Sequence, residues 1–288
     1  MGNIVAVVGA GVMGRGVAQV LAQHDFDVLL VDLTAERLDA ARRSIAHALK
    51  SAALFDPQLR GRHEAMLARI ETTTGYEPLA RADFVIENVT EDWAAKASVY
   101  RALGEVCRPD CTLAANTSAI SIARIASLVP KPARVVGMHF MNPVPQKPLV
   151  EVIRSPRTSD AAIAAATALL ERIGKKAIVV GDSPGFVTNR VLMLMINEAI
   201  RVVEEGISNA RDVDSIFVGC FAHAMGPLAT ADLIGLDTIL RSLEVLEESF
   251  GDPKYKASAL LREMVASGRL GRKTGAGFFE YDGRSTKR

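Results

Sequence analysis

The sequence has no apolar run approaching the ~20 residues that a membrane-crossing helix needs, so no span is expected. Cysteine is scarce. The three present (Cys107, Cys111 and Cys220) are odd in number, and although two stand four residues apart, no second cluster completes a zinc site. Core thiols are expected, and no metal. An excess of either charge is also missing. The 34 basic and 33 acidic side chains nearly cancel, so neither a basic field for nucleic acid nor a like-charged tail is implied. The N-terminus has no charged segment or cleavage site of a secretory leader, which makes a cytoplasmic protein the default expectation. Internal repeats and low-complexity segments are lacking as well. What remains is a globular profile: 288 residues, 49% apolar, enough for two domains of ordinary size.

The first half alternates strand and helix signals. An apolar β-rich run from Asn3 to Val8 leads directly into Gly9-Ala-Gly11-Val-Met-Gly14, and helical spacing follows through Val17, Val20 and Leu21. A glycine triplet with this spacing is a weak signal alone and a specific one between a strand and a helix. Gly9 permits the tight turn, Gly11 lets the backbone approach a pyrophosphate, and Gly14 lets helix and strand pack closely. The unpaired N–H groups of the helix start then face the phosphates. The next strand, Asp27 to Val31, ends in Asp32, placed to accept the adenosine ribose hydroxyls. Leu33, Thr34 and Ala35 offer no arginine for a 2′-phosphate, so NAD is expected over NADP.

A helical hairpin is expected from Thr34 to Ile70, broken by Pro57 and Gly61. Strands recur at Ala82–Glu87, Thr112–Ala115 and Arg134–Met138. A last strand pair, Leu149–Ile153 and Ala177–Val180, brackets a helix from Ser159 to Ile173. Alternation of this kind predicts an α/β fold, a Rossmann-type doubly wound sheet with its ligand at the carboxyl ends of the strands. Those ends carry Glu87 to Glu91, Asn116-Thr117-Ser118 and His139. Past the last of these strands, three prolines (Pro143, Pro145, Pro148) enforce a rigid connection. Glu151 returns on the next strand, where its carboxylate can hold one imidazole nitrogen of His139 and leave the other to take a proton.

Gly181-Asp-Ser-Pro-Gly185 is the strongest domain boundary, giving a nucleotide-binding domain over 1–184 and an all-α domain over 185–288. The second domain reads as a long helix from Phe186 to Glu205, apolar nearly all round, then helices over Ala210–Phe217, Leu236–Phe250 and Tyr255–Ser267. The all-round apolar helix suggests burial between domains or subunits. A helical domain with little core of its own makes a homodimer the natural expectation.

Taken together, V-G-A-G-V-M-G, N-T-S (Asn116–Ser118), H-F-M-N-P (His139–Pro143), L-V-E-V-I, P-G-F-V-T-N-R (Pro184–Arg190), M-G-P-L and L-G-R-K-T-G closely resemble the 3-hydroxyacyl-CoA dehydrogenases over essentially the whole chain. The pattern resembles in particular the short, single-function bacterial 3-hydroxybutyryl-CoA dehydrogenases. The resemblance implies an NAD-dependent oxidoreductase in which His139 is the base and Glu151 orients it. It further implies that Ser118 and Asn189 hold the substrate and the nicotinamide end, and that Asp32, Glu91, Lys96, Asn142 and Lys273 contact the dinucleotide.

Two departures bear on the substrate. The family's helical hairpin usually carries lysines at its tip, for the phosphates of coenzyme A, whereas Ser51-Ala-Ala-Leu-Phe-Asp-Pro57 carries none, and no basic residue intervenes between Lys50 and Arg60. Gln146-Lys147-Pro148 also replaces a stretch that usually has Met before Leu-Val-Glu. Both suit a small polar acyl group on an acyl carrier protein, as in relatives that oxidise a glyceryl thioester for polyketide extender units. That substrate is the first expectation, ahead of an ordinary short-chain 3-hydroxyacyl-CoA of fatty acid metabolism. A non-enzymatic, crystallin-like NAD-binding protein is a minor alternative, disfavoured because a binder needs only the first half. The β-hydroxyacid dehydrogenases rely on a lysine in the first interdomain helix, and Phe186–Glu205 has none.

Overall fold

The computed structural model describes residues 3–281, and the chain divides into two compact units, Met1–Ser183 and Pro184–Arg288. The first unit runs β1 (Ile4–Val8), α1 (Val12–Gln23), β2 (Asp27–Val31), α2 (Ala35–Phe55), α3 (His63–Ala68), β3 (Ile70–Thr73), β4 (Phe84–Glu87), α4 (Trp93–Val106) and β5 (Thr112–Ala115). It continues through α5 (Ile122–Ala126), β6 (Val135–Phe140), β7 (Leu149–Arg154), α6 (Asp160–Arg172) and β8 (Lys176–Gly181). The eight strands form one sheet in the order β3-β2-β1-β4-β5-β6-β7-β8. All neighbours are parallel except β6 and β7. The central strands read as continuous apolar runs because helices cover both faces, and β4, β5 and β6 are buried at every position. Strand order reverses between β1 and β4, and the loops leaving these two strands open the crevice where such sheets take ligands.

The helices start where the sequence supplies caps. Thr34 Oγ1 accepts the Arg37 N–H ahead of α2, Asp92 the Ala95 N–H ahead of α4, and Ser159 the Ala162 N–H ahead of α6. The start of α1 differs: Gly11 offers no side-chain cap.

Several boundaries differ from expectation. The hairpin is asymmetric, with 21 residues in α2 against six in α3, because Pro57 starts a short 3-10 turn capped by Asp56. Ile70 leaves the helix to begin β3, an additional strand in which Ile70 and two threonines favour extended backbone. His139 lies within β6 rather than past its end, since that strand continues to Phe140.

The second unit contains α7 (Thr188–Glu204), α8 (Ala210–Phe221), α9 (Pro227–Ile234), α10 (Leu236–Phe250) and α11 (Ala259–Ala266). Its core gathers Ile196, Ile200, Leu228, Ile239, Leu243 and Tyr255. Helix α9 is an additional helix beyond those expected from the sequence. Pro227 stands at its first turn, and buried Asp214 of α8 caps it, accepting the N–H groups of Leu228 and Ala229 at 2.8 Å each. Helix α7 buries one side, with Ile196 and Ile200 covered, and carries apolar residues on the other as well, Val191 being 62% exposed. Buried Asp232 of α9 ties down the following chain, accepting the N–H groups of Phe278 and Phe279 and the hydroxyl of Tyr281.

Gly14 packs α1 onto the turn after β1 so closely that a Cβ there would lie 1.8 Å from the Gly9 carbonyl oxygen. Overpacking of this kind costs about 1–3 kcal/mol. Gly14→Ala should therefore lower the melting temperature of the nucleotide-free protein by about 2–10 °C. A thermal melt at wild-type temperature would show that the turn yields freely.

Candidate active site

The crevice between β1 and β4 holds a cavity of about 390 Å³, lined by residues that include Gly9, Gly11, Asp32, Arg37, Tyr76 and Val89. Gly9 has φ +97°, and a Cβ there would strike the Asn88 carbonyl at 2.7 Å. Nothing lies within 4 Å of a Cβ built on Gly11, so a side chain at that position would project into open space. With the uncapped start of α1 beside it, the loop presents bare backbone and unpaired N–H groups, which fits a pyrophosphate. At the end of β2, Asp32 accepts the Ala10 N–H at Oδ2 and the Leu33 N–H at Oδ1, both at 2.7 Å. An arginine does reach this carboxylate. It comes from two residues beyond Ala35: Arg37 Nη1 lies 3.4 Å from Asp32 Oδ1. The Tyr76 phenol in the cavity wall is raised above its ordinary range by burial and by the Glu87 and Asp32 carboxylates.

Behind this wall lies a fully buried ion pair. Glu87 ends β4, and Lys96 on α4 places Nζ 2.8 and 2.9 Å from its two carboxylate oxygens and 3.1 Å from the Asn116 carbonyl oxygen. Burial pushes the Glu87 carboxyl up, against the pull of the Lys96 ammonium. Lys96, expected to touch the dinucleotide, has a side chain of 0% exposure whose ammonium pairs with Glu87 at 2.8 Å and lies 3.6 Å from Glu91. No short-range pattern in the sequence announces this pairing with Glu87, nine residues earlier.

Glu91, half-buried, gathers the loop after β5. Its Oε1 accepts the Thr117 hydroxyl at 2.5 Å and the N–H groups of Ser118 and Ala119 at 2.9 and 3.0 Å. Asn116 bridges to both sides: its Nδ2 donates to Asn88 Oδ1 at 2.7 Å, and its Oδ1 accepts the Phe140 N–H at 3.1 Å. Asn88 and Asn116 thus fix the strand ends relative to one another, a role that no motif announced.

His139 and Glu151 are direct cross-strand partners in the antiparallel β6–β7 pair, so their side chains share one face. Nδ1 of His139 lies 2.8 Å from Glu151 Oε2, and Nε2 lies 3.2 Å from Ser118 Oγ. Both partners are buried, at 5% and 8% exposure. An ionised carboxylate only accepts, so Nδ1 carries the hydrogen and Nε2 presents its lone pair toward the Ser118 hydroxyl. The proline-rich connection is braced by buried Lys175, whose Nζ donates to the carbonyls of Val144 and Lys147 at 2.7 and 2.8 Å. Asn142, on this connection, is exposed.

Of the remaining expected residues, Asn189 sits in the first turn of α7 in the second unit. Lys273, also in that unit, is exposed and pairs with Asp237 at 2.5 and 2.6 Å. Among the described residues no group of three His, Cys, Asp or Glu could hold a metal, and no helix is long and apolar enough to cross a membrane.

A doubly wound sheet with a glycine loop, an acid after β2 and a carboxylate-backed histidine defines a dinucleotide-dependent oxidoreductase. Residues 4–183 match the NAD binding domain of 3-hydroxyacyl-CoA dehydrogenase, and residues 185–281 match its C-terminal domain. The chain belongs to the 3-hydroxyacyl-CoA dehydrogenase family and is an NAD-dependent oxidoreductase acting on a CH–OH group. It is 45% identical over 276 residues to a probable 3-hydroxybutyryl-CoA dehydrogenase of Deinococcus radiodurans, covering 96% of this chain and 99% of that one. A probable 3-hydroxybutyryl-CoA dehydrogenase of Bacillus subtilis is 43% identical over 278 residues, with 96% and 97% covered. The crystal structure of (S)-3-hydroxybutyryl-CoA dehydrogenase from Ralstonia eutropha superposes with a TM-score of 0.93 at 42% identity, covering 97% of this chain and 99% of that one.

Lys96→Met would strand the Glu87 carboxylate and should cost about 3–5 kcal/mol of stability. The sign of its pH dependence follows from the raised carboxyl. A folded state that binds this proton more tightly than the unfolded state gains stability as pH falls, so the loss should be largest at alkaline pH and shrink on acidification. Urea denaturation at two pH values checks this, and a pH-independent loss would contradict it.

Proposed function

We propose that the protein interconverts a short-chain 3-hydroxyacyl-CoA and its 3-oxoacyl form, with 3-hydroxybutyryl-CoA as substrate and His139 as the base. The observation that carries this reading is the buried His139, backed on Nδ1 by Glu151 and met on Nε2 by Ser118. Nε2 takes the proton of the C3 hydroxyl as Glu151 stabilises the imidazolium that forms. The Ser118 hydroxyl, already directed at Nε2, holds the substrate oxygen in place, and Asn189 assists from the first turn of α7. NAD, when bound, supplies the hydride acceptor. Gly9, Gly11, Gly14 and Asp32 hold its adenosine and phosphates, with Glu91, Asn142 and Lys273 as further contacts, while Lys96 acts through Glu87. The domains are read as 1–184 for NAD and 185–288 for substrate and dimerisation.

The carrier-protein reading, favoured on the missing lysines, gives way. Relatives that match over nearly their full length at 43–45% identity are named for 3-hydroxybutyryl-CoA, whereas the lysine-free tip of α2 is one exposed segment with Leu54 at 72% and Phe55 at 87% exposure. Loss of charge at an exposed helix tip is readily tolerated. The homodimer is proposed on the apolar face of the second unit. There a cavity of about 410 Å³ is lined by Ala199, Val202, Ile216 and Phe217, and Ile207 and Phe221 are 69% and 65% exposed.

His139→Gln should leave NADH binding near the wild-type level and lower kcat by about 10²–10⁴-fold. Unchanged turnover would remove His139 from the mechanism. With NADH as donor, acetoacetyl-CoA should be reduced faster than the same acyl group on a purified acyl carrier protein; the opposite order would restore the carrier-protein reading. Ile216→Glu should convert a dimer to a monomer in light scattering, and a wild-type monomer would dispose of the dimer altogether.

A further inference from the structure

Among the described residues, the cavity between β1 and β4 has one basic side chain in its wall, Arg37. Its backbone is fixed, as the third residue of α2, by the Thr34 cap. The guanidinium is held loosely. Its side-chain hydrogen bond is the 3.4 Å contact to Asp32 Oδ1, and the side chain is 64% exposed, against 10% for Asp32. Such an exposed pair contributes little to stability. Asp32 does not need it for placement, because the Ala10 and Leu33 N–H groups at 2.7 Å already set the carboxylate. Arg37 is therefore neither a clamp for Asp32 nor a partner spent elsewhere in the fold. It is a largely uncommitted cation beside the carboxylate that meets the adenosine ribose.

We infer that Arg37 is a specificity-determining residue of the cofactor pocket, forming with Asp32 a pair of opposed charges that weighs a 2′-hydroxyl against a 2′-phosphate. A ribose hydroxyl donates to the carboxylate and gains nothing essential from the arginine. A 2′-phosphate is repelled by the carboxylate yet accepts from the planar guanidinium, the side chain best shaped for it. The wild-type chain then prefers NAD(H) less steeply than Asp32 alone would impose, and loss of the Asp32 charge leaves a phosphate site already in place. The inference deepens the assignment of this cavity to the adenosine end of NAD, and it depends on that assignment.

The test is direct binding, measured by calorimetry with the full-length protein at fixed ionic strength, using NADH and NADPH as ligands. Arg37→Ala, on an exposed helix surface, should keep NADH affinity within about threefold and weaken NADPH at least about tenfold, the worth of one lost charged hydrogen bond. Asp32→Asn should strengthen NADPH binding about tenfold or more, and the Asp32→Asn/Arg37→Ala double variant should lose that gain. Equal weakening of both nucleotides by Arg37→Ala, or retention of the gain in the double variant, overturns the inference. Gly11→Val tests the cavity separately: its side chain has room but fills the space above the loop. Both nucleotides should be lost. Retention of both would displace the adenosine site from this cavity, whatever Arg37 does.

Discussion

Three adjacent parallel strands, β4, β5 and β6, end side by side, and the polar residues at those ends are held together beneath the surface. The Glu87–Lys96 pair is the anchor. Burial of two charges is unfavourable unless every partner is supplied, and here both carboxylate oxygens and the Asn116 carbonyl meet one ammonium. From that point the constraint spreads outward. Asn116 fixes the backbone of Phe140 next to His139, while Glu91 fixes the backbone of Ser118. Ser118 can face Nε2 at hydrogen-bond distance because the loop carrying it and the strand carrying His139 are set against the same buried pair.

The single antiparallel pairing in the sheet does different work. A parallel neighbour to β6 would need a long crossover, and a facing carboxylate would have to come from a distant part of the chain. The short proline-rich connection reverses direction instead, so that His139 and Glu151, twelve residues apart, become cross-strand partners. Lys175 then braces that connection by its carbonyls, which leaves the geometry of the imidazole to rigid backbone.

Much of this was legible in the sequence, and the reasons are local. The glycine loop, the acid after β2 and the domain break at Gly181–Gly185 declare themselves because each needs particular residue types at short spacing. The His139–Glu151 pair could be anticipated because two apolar strands flank a proline-rich turn. What escaped depends on partners distant in sequence or just inside the following helix. The burial of Lys96 rests on its pairing with Glu87, which no local pattern declares. Arg37 lies outside the three residues after Asp32 and returns to the pocket only through the pitch of α2. Helix α9 depends on a cap from Asp214, thirteen residues before its first residue, and β3 is four residues long at the foot of a helix.

Asp232 has a consequence for the order in which the molecule takes shape. Its carboxylate lies 1% exposed inside the second unit and is satisfied by the backbone of Phe278 and Phe279 and the hydroxyl of Tyr281. Without those residues the Asp232 carboxylate would lose these partners, and burying it bare within α9 would be unfavourable. The sheet unit needs nothing beyond residue 183 for its own strands and can fold while the rest is still being made. The seating of α9 is thereby tied to residues some 46 positions further along the chain, whereas the strands of the sheet are complete by Gly181.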